Sequence, residues 1–102
     1  MAAGDTRRQQ AENDLVMRQE AACDRVGGLL FHCSVEDARK TMTAEEFAQL
    51  RPDELQPRFM EEFMAECLDS KMSLRQIKVY ETCADNPACE DFIPCLDDAQ
   101  RQ

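Results

Sequence analysis

The chain has 102 residues, with six cysteines, three glycines, four prolines and no tryptophan; its 21 acidic against 12 basic residues give a net charge of −9. That field repels a phosphate backbone and an anionic membrane surface, which argues against nucleic acid as a partner and leaves a basic protein surface compatible. No stretch approaches the ~20 consecutive apolar residues of a membrane-spanning helix, and the length suits one domain with a modest stability margin.

Apolar residues recur at spacings of three and four rather than two. The pattern predicts an all-α fold, a small disulfide-stapled bundle of four to five helices. Residues 1–10 are polar and read as a flexible N-terminus ahead of a single helical domain over residues 11–102. A first helix is expected from Ala11 to Phe31, with Leu15, Ala22, Val26, Leu29 and Cys33 on one stripe. Gly27-Gly28 interrupts it at roughly 1 kcal/mol per glycine relative to alanine. Close approach of another helix, or a local bend, explains the pair.

Ser34-Val35-Glu36-Asp37 reads as a cap opening a short helical turn. Thr43 and Glu46 then form a capping box, with Met42 and Phe47 at the hydrophobic-staple positions; Met72, Ser73, Gln76 and Ile77 repeat the device. Pro52 and Pro57 each suit a first helical turn. One helix is therefore expected to end near Leu50. The next begins between Asp53 and Pro57, carries Phe59, Met60, Phe63, Met64, Cys67 and Leu68, and stops near Asp69-Ser70. The Ser73 helix bears Leu74, Ile77, Tyr80, Cys83 and Ala84. Asn86-Pro87 breaks it and opens a last short helix with Cys89, Phe92 and Ile93, which Pro94 closes.

An even number of cysteines in a short chain reads as three disulfides and an oxidising compartment. Met1-Ala2-Ala3-Gly4-Asp5 has neither the basic start nor the apolar run of a secretory signal. A signal already removed, entry by a route without one, or reduced cysteines would each reconcile the two. Cys23 and Cys33 lie ten residues apart. On a straight helix that is ~15 Å, against ~4.4–6.8 Å between the Cα atoms of a disulfide, so each is expected to bridge another element. Cys67 and Cys83 are offset by roughly 12 Å about the turn between their helices and are poorly matched. One assignment is Cys23–Cys95, Cys33–Cys83 and Cys67–Cys89; a local Cys83–Cys89 bridge across Asn86-Pro87 competes with it.

The segment Cys23-Asp24-Arg25-Val26-Gly27-Gly28-Leu29-Leu30-Phe31-His32-Cys33 resembles the first half of the coiled-coil-helix–coiled-coil-helix (CX9C) proteins. Those are small helical hairpins oxidised in the mitochondrial intermembrane space, which they enter without a cleaved presequence. The resemblance rests on this first cysteine pair, since Cys83 and Cys95 enclose eleven residues. It implies a respiratory-complex subunit or an assembly factor. In Cys23-Asp24-Arg25-Val26, Cys67, Cys83 and Cys95 the chain is also similar to small exported helical proteins of Gram-negative bacteria, which implies a periplasmic or extracellular location.

Candidate chemistry is sparse. His32 adjoins Cys33, but sequence neighbours on a helix do not face each other, so they do not form a nucleophile–base pair. CxxC is absent, and the steps from Cys83 to Cys89 to Cys95 are not a zinc spacing; these cysteines with His32 are the only metal ligands worth testing. The pairs Glu45-Glu46, Glu61-Glu62, Glu90-Asp91 and Asp97-Asp98 read as solvated faces, and no phosphate-binding loop is present. Neither catalysis nor a cofactor is expected. Phe59, Met60, Phe63 and Met64 form the candidate binding face, because methionine adapts to irregular partners; core packing is the competing role. The sequence therefore reads as a non-enzymatic helical protein acting through protein contacts, as structural or accessory subunit, assembly factor or small exported binding protein. The alternatives are a ligand carrier or holdase using the Phe/Met face, and a thiol- or metal-handling protein.

Overall fold

One helix sets the shape of the molecule. In the computed structural model, which describes the backbone of residues 2–101 and the side chains of residues 7–100, α1 runs Ala2–Thr41. At the helical rise its 40 residues span about 60 Å, close to the 65 Å long axis of a molecule 26 Å by 19 Å across. Four shorter helices follow: α2 (Ala44–Leu50), α3 (Pro52–Cys67), α4 (Leu74–Ala84) and α5 (Cys89–Arg101). All four touch α1, and α4 also packs on α5. The fold is a small all-α bundle stapled by disulfides, as the periodicity predicts.

Helix α1 extends beyond its expected limits at both ends. Met1 of the expected flexible N-terminus lies outside the described residues; the backbone from Ala2 to Gln10 continues the helix. At the other end, Ser34 does not cap a new turn. Its hydroxyl donates to the Leu30 carbonyl at 2.8 Å, the back-bond of a residue inside a helix. The apolar stripe also persists through this polar-looking stretch, because Val35 and Ala38 are half-buried one and two turns after Phe31. Arg39 and Lys40 close the helix on the sign that its dipole favours.

Both capping boxes form as expected. Glu46 N–H donates to Thr43 Oγ1 at 3.1 Å and Thr43 N–H to Glu46 Oε1 at 3.2 Å; Ser73 and Gln76 repeat the exchange at 3.2 and 3.0 Å. Arg51 alone joins α2 to α3, in the left-handed region at φ 49°, with Pro52 opening α3 behind it. Pro57 sits inside α3 rather than in a first turn, where it removes one backbone bond. Pro94 does not close α5 either. It lies within a helix that continues to Arg101, because Cys95 is cross-linked and Leu96 is buried just beyond it. The lost bond at Pro94 is outweighed by those two anchors.

The core is thin and lies where the middle of α1 meets α4 and α5. Val26, Cys33, Cys83, Ala84, Phe92 and Leu96 form it, flanked by Leu29, Leu30, Phe63, Val79 and Tyr80.

Candidate functional site

All six cysteines are paired. Cys23–Cys67 ties α1 to the end of α3, Cys33–Cys89 ties α1 to the start of α5, and Cys83–Cys95 ties α4 to α5, with Cα separations of 6.1, 5.5 and 5.6 Å. Three disulfides place the protein in an oxidising environment. As expected, Cys23 and Cys33 each bridge a different element, and Cys67 does not pair with Cys83. The assignment Cys23–Cys95, Cys33–Cys83 and Cys67–Cys89 is wrong in every pair, and the local Cys83–Cys89 bridge does not form. The cause is the course of α5. Continuing through Pro94, it lies alongside α4 and brings Cys95 to Cys83, while its first residue, Cys89, meets α1 at Cys33.

The disulfides exclude the cysteine-based metal set, since a cystine offers no thiolate. Cys83, Cys89 and Cys95 belong to two different bridges, and His32 is exposed. Among the described residues no group of three His, Cys, Asp or Glu side chains is arranged to hold a metal ion. The paired carboxylates lie exposed, with Glu46 engaged in its capping box.

Phe59, Met60, Phe63 and Met64 are half-buried, and the cluster packs on α1. Phe59 lies between Phe31 and Phe63, with ring centroids 5.5 and 5.9 Å away. Gly27 is where α3 comes closest. A Cβ there would sit 2.7 Å from Phe63 Cδ1 and 3.2 Å from Met60 Cε, so only glycine admits the two side chains. A Cβ on Gly28 would meet nothing within 4 Å.

Several organising residues escaped the sequence reading. Gln19 is buried, 5% exposed; its Nε2 donates to the carbonyls of Cys67 and Ser70 at 2.9 and 2.8 Å, and its Oε1 accepts from Met72 N–H at 3.1 Å. One amide thus holds the whole α3–α4 connection. Arg18 grips Glu81 through two nitrogens, at 2.6 and 3.3 Å, and Arg25 pairs with Asp85 at 2.9 Å. The Glu81 hydrogen bond raises the pKa of Arg18 above its ordinary value. These pairs draw both acids of the α4 end toward α1.

Several surface depressions accompany this frame. A pocket of about 140 Å³ lies between α1, α2 and α3, lined by Phe31, Val35, Ala38, Phe47, Leu50 and Leu55. Two larger ones, of about 540 and 500 Å³, follow one another along α4 and α5 and share Arg75 and Val79. No helix among the described residues is long and apolar enough to cross a membrane. No family model, curated protein or solved structure matches the chain.

Proposed function

We infer that this disulfide-stapled helical protein is a non-enzymatic module that works by contacting another protein, as an accessory subunit, assembly factor or small exported binding protein. The observation that carries this reading is the commitment of all six cysteines to bridges between helices. The residues best equipped for nucleophilic or metal chemistry hold the frame together, and what the frame presents outward is surface. That surface includes Met17 at 67% exposure and Leu74 and Ile93 at 42%. Cys23 and Cys33 bridge to two different helices, whereas a simple helical hairpin carries both rungs to one. This favours an exported space, periplasmic or extracellular, over the mitochondrial intermembrane space.

Photo-cross-linking from positions 17, 74 and 93, in cells that naturally make the protein, tests the reading. A discrete protein adduct from at least one position, lost when the disulfides are reduced, is the expected result. Folded protein that yields no protein adduct and purifies with a bound small molecule would replace the module by a ligand carrier.

A further inference from the structure

We propose that the groove between α4 and α5 seats an acidic amphipathic helix of the partner protein. The proposal rests on the protein-contact reading and names the surface and the chemistry that it uses.

The charge pattern carries the argument. On a chain of net charge −9, this groove is lined by Arg75 and Lys78, and no acidic residue is among its lining. The imbalance has a structural cause. Glu81 and Asp85, the acids at the C-terminal end of α4, are turned away into the pairs with Arg18 and Arg25 on α1. Arg75 and Lys78 have no ion-pair partner among the described residues. Arg75 and Lys78 lie three positions apart within α4, so the two basic residues share one helical face.

Between the charges the groove carries apolar side chains beside the polar Ser73, Gln76, Thr82 and Gln100. Leu74 is exposed, Val79 and Tyr80 are half-buried on α4, and Ala99 faces them from α5. A trough between two helices, with apolar and neutral polar groups along it and two basic residues, accommodates a third helix with leucine-type anchors and flanking carboxylates. The 11 residues of α4 give a trough about 16 Å long, or roughly three turns of a bound helix. A second copy of this chain would bring another −9 against the first, and nucleic acid would meet the same repulsion. For that reason the partner's acidic groups belong to the docking segment and not to its whole surface. At physiological salt the Debye length is about 8 Å, so the two basic residues act at contact range while the more distant acids are screened.

The test uses the oxidised full-length protein and a synthetic amphipathic helical peptide with leucines at helical spacing and glutamates flanking them. A second peptide replaces each glutamate by lysine. Fluorescence anisotropy should show binding of the acidic peptide alone, weakened about tenfold in Arg75→Glu/Lys78→Glu and several-fold in Arg75→Gln/Lys78→Gln. Both variants should keep the wild-type circular dichroism. Binding should also weaken as salt rises. Equal binding of the two peptides, or indifference to both variants, overturns the groove proposal. So does self-association in sedimentation that Arg75→Glu/Lys78→Glu abolishes, because the occupant is then a second copy. Binding of dodecanoate at sub-micellar concentration with no binding of the acidic peptide also overturns it. In each of these cases a protein adduct from position 17 or 93 leaves the wider module reading standing.

Discussion

Gly27 and Gly28 are adjacent in sequence and opposite in consequence. At Gly27 an added methyl collides with Phe63 and Met60, while at Gly28 it meets open space. Gly27→Ala should therefore destabilise the protein by about 1–3 kcal/mol through overpacking, whereas Gly28→Ala should stabilise it by about 0.5–1 kcal/mol through helix propensity and a less flexible unfolded chain. Urea midpoints of the two single variants check this, and equal shifts would show that α3 does not approach α1 at Gly27. The glycine pair was legible as a point of close packing or of a local bend. Which glycine makes the contact was not, because that depends on the rotation of α1 relative to α3. Gln19 was not legible at all, since a glutamine among polar residues gives no sign that three backbone groups converge on it. Gln19→Leu should cost about 2–4 kcal/mol, the sum of three modest hydrogen bonds and the burden of leaving their backbone partners unsatisfied. Hydrogen exchange should locate the loss at Met72 N–H; a midpoint shift without faster exchange there would assign the loss to packing.

Among the helices, the two starts marked by capping boxes were the easiest limits to read. The boxes at Thr43 and Ser73 are local chemistry, complete within four residues, and both formed where the sequence puts them. Pro94 and Ser34 misled because a proline or a serine disfavours a helix interior only by an amount that tertiary anchors can exceed. Beyond Pro94 those anchors are Cys95 and Leu96; beyond Ser34 they are Val35 and Ala38. The disulfide pattern failed for the same reason, since ending α5 at Pro94 removes the alignment that joins Cys83 to Cys95. The true bridges close chain separations of 44, 56 and 12 residues. Chain entropy then ranks them. Cys33→Ala/Cys89→Ala should lose about 4 kcal/mol and Cys83→Ala/Cys95→Ala about 3 kcal/mol. Guanidinium titration of the two double variants tests the order. A reversed ranking would mean that the short α4–α5 bridge also preserves native packing around Phe92.

At the scale of the whole molecule, elongation and a thin core go together. The Cα radius of gyration is 16.9 Å, against about 13 Å for a compact chain of this length. Three of the nine buried hydrophobic residues among those described are cysteines, namely Cys23, Cys33 and Cys83. A spine helix that exposes most of its surface leaves the shorter helices little apolar area to hold them, so the covalent links carry much of the stability. Three bridges at about 2–4 kcal/mol each are comparable with the whole net stability of a typical domain, about 5–15 kcal/mol. The oxidised protein should therefore scatter X-rays as a rod-like particle with a radius of gyration near 17 Å. Full reduction in the absence of denaturant should abolish most of the helical circular dichroism and expand the chain toward about 30 Å, the unfolded value for this length. Retention of the rod after reduction would assign its stability to the α1 contacts, and the disulfides would then be needed only outside the cell's reducing interior.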